Sequence, residues 1–209
     1  ARAFTGWSIS GRNENDDGRI AFRFRRLFHD DGEKIILGTT IPAGGGEQDG
    51  ERVLDLLANH PSTARFIATK LARRFVADQP SSAIIDEAAA AFTSSGGDIR
   101  AVLRTIFHSD EFWQAPPKFK QPFEHTVSLM RAMNYHVTDL TRLLRSLRDP
   151  LETLGNIPFT WAAPNGFPDV MGAWQDGLLM RWNLALGAMS GSVAGAESDT
   201  AGLLTMFSD

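Results

Sequence analysis

The chain has 209 residues, 43% hydrophobic and 22% charged, with no cysteine and a formal net charge of −4. That length supports one domain, or a domain with a lobe, around a buried core, and the missing cysteine excludes disulfides, thiolate metal sites and cysteine nucleophiles. The mild acidity gives no broad electrostatic footprint for nucleic acid, and no apolar run approaches the ~18 residues of a transmembrane segment.

The opening "ARAFTGW" reads like the tail of an amphipathic helix, without an initiator Met or a secretory leader. It predicts that the chain belongs to a longer protein whose N-terminal part is a partner of this one. Gly11 to Arg19 is polar and turn-rich, a loop. Ile20, Phe22 and Phe24 then alternate with Ala21, Arg23 and Arg25, the two-residue period of a half-buried strand. Asp31-Gly32 is a turn signal and "KIILG" a returning strand, so one β-hairpin is expected, followed by the glycine-rich connector "IPAGGGEQDGE".

From Glu51 the pattern is helical, with Val53, Leu54, Leu56 and Leu57 on one broad face. Pro61 suits a first helical turn, with Asn59 or His60 as its cap. "SSAIIDEAAAAFTSSGG" predicts a third helix, and Asp98 caps a fourth that runs on through "DEFW". Pro116, Pro117 and Pro122 break the pattern, and Pro122 opens a fifth helix. "VTDLTRLLRSLRD", capped by Thr138, is a sixth, and "AWQDGLLMRWNLALGAM" is the last. The rest reads as a polar, frayed tail with a short apolar patch near its end. The expected fold is mainly α: a helix-bundle-like domain of six or seven helices with one small N-terminal β-hairpin. Residues 1–50 hold the hairpin and connector, 51–190 the helical domain and 191–209 the tail.

Two stretches carry candidate chemistry. The first runs from Phe159 to Gly177, "FTWAAPNGFPDVMGAWQDG". Trp161, Phe167 and Trp174 offer ring faces that match the C–H face of a sugar, and Asn165 and Asp169 offer hydrogen bonds to its hydroxyls. The competing reading is a long turn whose aromatics plug the core. Either way, Pro164 and Pro168 restrict the backbone around Gly166, so the loop should be ordered, with Trp174 as buried anchor and Phe167 as exposed tip. The second stretch is "PFEHTVSLMRAMN". Glu124 and Asp169 form a candidate catalytic pair, since glycosidases use two carboxylates ~5–10 Å apart. Glu124 also reads as a first-turn charge favoured by the helix dipole, or as a partner for an arginine.

Other signals are weaker. His29, Asp30 and Asp31 are neighbours that turn chemistry explains, so no metal and no cofactor is expected. There is no Gly-x-Ser-x-Gly elbow and no phosphate-binding glycine loop with its lysine. Arg65, Lys70, Arg73 and Arg74 read as a solvated helix face, or as partners for acidic helices of the expected N-terminal part.

Six stretches occur in order: "ARAFTGW", "HDDGEKIILG", "HPSTARFIATKLARRFV", "GGDIRAVLRTIFHSDEFW", "KFKQPFE" and "PNGFPDVMGAWQDGLLMRWNLA". Together, from Ala1 to about Ala185, they resemble the C-terminal part of the large bacterial family catalogued as domain of unknown function 1800. The resemblance implies a longer exported protein, a periplasmic or extracellular setting and a co-exported protein as neighbour. It implies no established reaction. In that family the loop often reads Pro-Asp-Gly-Tyr-Pro; here it is Pro164-Asn165-Gly166-Phe167-Pro168, without that carboxylate and phenol hydroxyl. The expected function is a binding or assembly module for a glycan or a protein partner. The alternative is a hydrolase of a polysaccharide or ester that uses Glu124 and Asp169.

Overall fold

The computed structural model describes residues 1–10, 20–191 and 193–198. The loop read at Gly11 to Arg19 and the apolar patch near the end of the tail lie outside them. The chain is mainly α, as its periodicity predicts, with eight α-helices and three two-stranded antiparallel sheets among the described residues. It divides into two compact units, Ala1–Lys70 with Ser82–His108 and Leu71–Ser81 with Ser109–Asp209.

The first unit opens on a 3-10 turn, Arg2–Phe4, in place of the expected helix tail. β1 (Trp7–Ile9) pairs antiparallel with β2 (Phe22–Phe24), Trp7 opposite Phe24 and Ile9 opposite Phe22. β3 (Lys34–Ile36) pairs with β4 (Thr39–Ile41). The expected N-terminal hairpin is present, but the strand at 22–24 pairs with 7–9 instead of 34–36, and the hairpin is formed by 34–36 and 39–41. Its turn is Leu37-Gly38, with φ of 49° and 78°. Two residues at positive φ match the tight hairpin connection whose twist suits the flanking strands. A leucine in that position hides the turn from sequence reading. Asp31-Gly32 is a local loop instead, in which the Gly32 N–H donates to Asp30 Oδ1 at 2.9 Å.

α1 (Glu47–Ala58) begins ahead of the expected Glu51, because Glu47 and Asp49 stabilise its first turn against the helix dipole. Gly50 lies inside this helix, and a Cβ there would collide with the Trp7 indole. In an isolated helix Gly→Ala gains about 1 kcal/mol. Here Gly50→Ala is expected to destabilise by about 1–3 kcal/mol through overpacking, measurable by urea unfolding. A stabilised variant would contradict this packing. Ala3, Ile41 and Val53 form the buried cluster, with Phe4 and Ile36 against it. α2 (Pro61–Phe75) starts with its proline in the first turn, and the Ser62 N–H donates to His60 Nδ1 at 3.1 Å. α3 (Ser82–Ser94) packs on α4 (Ile99–Phe107), whose N-cap Asp98 accepts the Arg100 N–H at 2.8 Å.

The expected fourth helix breaks at His108, where the chain passes to the second unit. Ser109 caps the short α5 (Asp110–Gln114) by accepting the Phe112 N–H at 3.2 Å. α6 (Pro122–Ala132) starts at its proline, as predicted. β5 (Tyr135–Val137) leads to α7 (Leu140–Thr153), which is capped by Asp139 rather than Thr138; Asp139 Oδ1 accepts the Arg142 N–H at 3.0 Å. α8 (Leu178–Met189) starts later than predicted, because Met171–Ala173 and Gln175–Gly177 are separate 3-10 turns. The start of the tail is not frayed. β6 (Ala196–Ser198) pairs with β5, and Val193 and Ala196 are buried with Leu143 and Ala188. The Tyr135 hydroxyl ties this core together by donating to Ala188 O at 2.7 Å.

Candidate functional site

Within the second unit lies a cleft of about 680 Å³. One wall is α6, where Glu124, Val127, Ser128 and Arg131 recur at i, i+3, i+4 and i+7 and so form a single stripe facing it. The last turn of α2 contributes Arg74 and Phe75. The proline-broken stretch before α6 contributes Lys118, Phe119, Lys120 and Gln121, and the loop after α7 contributes Asp169 and Trp174.

Gln121 joins the two predicted carboxylates. Its backbone N–H donates to Glu124 Oε2 at 3.1 Å, and its side-chain Nε2 donates to Asp169 Oδ1 at 3.3 Å. Glu124 Oε1 is also ion-paired with Arg74, so this carboxylate both caps its helix and neutralises an arginine. Glu124, Asp169 and Trp174 thus share one cleft, whereas Trp161, Asn165 and Phe167 stand outside its lining.

Those three form the flank of the loop. The rings of Trp161 and Phe167 are 5.1 Å apart and those of Phe167 and Trp174 are 6.1 Å apart. Trp174 is the buried anchor, 7% exposed, with its indole N–H donating to Pro168 O at 2.8 Å. Phe167 is not the exposed tip: the turn through Gly166, φ 74°, folds it back between the two indoles. The more exposed ring is Trp161, whose N–H donates to Asn165 Oδ1 at 3.2 Å.

Two residues that sequence reading passed over hold this arrangement. Asp78 accepts from Lys118 Nζ at 2.5 Å and from the Met171 N–H at 2.6 Å, which pins the far end of the loop. Burial pulls its carboxyl upward, but Lys118 and the Met171 N–H outweigh that and hold it below the usual carboxylate range. "VADQP" carries no motif that would have marked it. Arg181 of α8 is buried, and its guanidinium lies over the Phe119 ring, 4.6 Å from the centroid. It donates to Lys120 O at 2.8 Å and Trp174 O at 3.4 Å, and no carboxylate among the described residues pairs with it. The one available signal was an arginine set in the apolar run "LLMRWNLAL". Burial pulls the Arg181 pKa below its ordinary value. Burial, and after it the positive charge of Arg181 and Lys120, likewise pushes the His125 imidazole down.

At the other end of the α6 stripe, Lys120 Nζ donates to Ser128 Oγ at 2.5 Å. Lys120 and Arg131 are both exposed, and neither has a carboxylate partner among the described residues. In the first unit, His29, Asp30 and Asp31 diverge: His29 turns inward to Asp49, Asp30 pairs with Arg2 and Asp31 lies 3.8 Å from Arg26. No cluster of three or more His, Cys, Asp or Glu side chains suited to an ion occurs among the described residues. None of the described helices is long and apolar enough to cross a membrane.

Taken together, these features define a mainly α protein with a mixed aromatic and cationic cleft in its second unit. The chain belongs to the family described as protein of unknown function (DUF1800), whose model matches residues 1–207. No curated protein and no solved structure matches it.

Proposed function

We propose that the second unit is a non-catalytic binding module for a glycan, acting in the bacterial cell envelope or outside the cell. The observation that carries this is the engagement of Glu124, which caps α6 and pairs with Arg74. Both carboxylate oxygens are thereby engaged within the protein, which favours a structural role for Glu124 over that of a general acid or nucleophile. The rest of the lining supports binding: Phe75 and Phe123 present partly exposed rings to the cleft, 39% and 42% accessible, beside hydrogen-bonding side chains. The envelope setting follows from what the family resemblance implies.

Titration calorimetry of the chain against soluble polysaccharide fragments tests the reading. Phe123→Ala is expected to weaken binding about tenfold, the order of one lost ring-stacking contact, with the fold intact by circular dichroism. Reducing-end assays on the same mixtures should show no turnover. Turnover that Glu124→Gln abolishes would replace this reading with the hydrolase.

A further inference from the structure

The cleft is electropositive on a chain whose formal net charge is −4. Arg74 is matched by Glu124 and Lys118 by Asp78. Lys120 and Arg131 remain, and even with Asp169 counted against them the lining is net positive. Arg181 lies behind Phe119 and Lys120, outside the lining, so the cations that a ligand can touch are Lys120 and Arg131. Lys120 and Arg131 border the same stretch of α6: the ammonium is held at Ser128, which lies three residues before Arg131 on the same helical face, and all three line the cleft.

We infer that the glycan taken by this cleft is acidic, a uronate-bearing chain whose carboxylate sits on Lys120 and Arg131. This rests on the glycan reading above and adds the ligand's charge. A uronate offers both things the lining asks for, an anionic group for the two cations and a C–H ring face for the adjacent phenyl rings of Phe75 and Phe123. An all-glutamate peptide offers only the first.

The test uses the whole chain with three probes: oligogalacturonate, its methyl ester and oligoglutamate. Calorimetry should show oligogalacturonate bound, the neutral ester at least tenfold weaker, and oligoglutamate weaker still. Binding of the acid should fall with added salt. Lys120→Gln and Arg131→Gln each change an exposed side chain and should each weaken the acid several-fold, and the double variant should bind acid and ester alike. Lys120→Arg should keep the preference for the acid. Equal binding of acid and ester by the unmodified chain would overturn the acidic ligand and leave the glycan reading standing. An acid preference that survives the double variant would overturn the assignment to Lys120 and Arg131. Oligoglutamate bound as tightly as oligogalacturonate would overturn both readings in favour of an acidic protein partner, and no binding of any probe would overturn both outright.

Discussion

Trp174→Ala is expected to cost the second unit about 3–5 kcal/mol, the range for truncating a buried aromatic. The indole is 7% exposed, packs on Phe167 and donates its N–H to Pro168 O at 2.8 Å. Truncation opens a cavity beneath the cleft and leaves that carbonyl without its donor. The Trp174 backbone carbonyl also accepts from Arg181, so movement of the chain here would disturb the buried cation as well. Trp161→Ala removes a ring that is 41% exposed and should cost well under half as much. Phe167→Ala should fall between them, because that ring is sandwiched and only half-buried. Guanidinium unfolding of the three variants decides the order. A larger loss for Trp161→Ala than for Trp174→Ala would mean that the anchor has been assigned to the wrong indole.

The first unit has its own point of failure. Lys34→Met is expected to lose about 3–5 kcal/mol, because it strands a buried carboxylate. The Asp49 side chain is fully buried and Lys34 is 3% exposed. Lys34 Nζ donates to Asp49 Oδ2 at 2.7 Å and to the carbonyls of Asp30 and Gly32 at 2.5 and 2.8 Å, so the ammonium has three acceptors. His29 Nε2 lies 3.1 Å from the same carboxylate oxygen, and its Nδ1 lies 2.7 Å from Thr5 O. The other oxygen, Asp49 Oδ1, is buried without a hydrogen-bond partner, against Gly45. Removing both charges together, in Lys34→Met with Asp49→Leu, should recover much of the loss, since neither charge is then left alone. If the double variant were as unstable as the single, the cost would lie in packing and not in charge.

The same cluster predicts a pH dependence. Burial pulls the Asp49 carboxyl up, but Lys34 and His29 together outweigh it and hold the group below its ordinary value. Its contribution to stability is therefore complete above the unfolded carboxyl pKa of about 4. It is lost as the pH falls through the lower folded value, because the unfolded chain takes the proton first. Unfolding free energies measured between pH 6 and 3 should fall more steeply at the acid end for the native chain than for the double variant.

Helix positions were legible because their signals are local. Pro61 and Pro122 begin helices, Asp98 caps one, His60 accepts a backbone N–H at another, and apolar residues at helical spacing run between. Each depends on residues within one or two turns, which sequence spacing records. The α6 stripe of Glu124, Ser128 and Arg131 was readable for the same reason. Strand pairing was not, because β1 finds β2 a dozen residues further along the sequence and Leu37 takes a positive φ that its side chain does not advertise. Nor was the character of the cleft. Whether Glu124 is a free acid or a neutralised cap depends on Arg74 from another helix, and whether Asp78 pins a loop depends on Lys118 and Met171 far along the chain. Arg181 shows the limit most clearly: its sequence neighbours mark it as buried, but its lack of a counter-charge is set by which distant groups fold against it. Torsional and capping preferences act between near neighbours and are written in order along the chain, whereas charge compensation and burial act through space and exist only once distant segments have met.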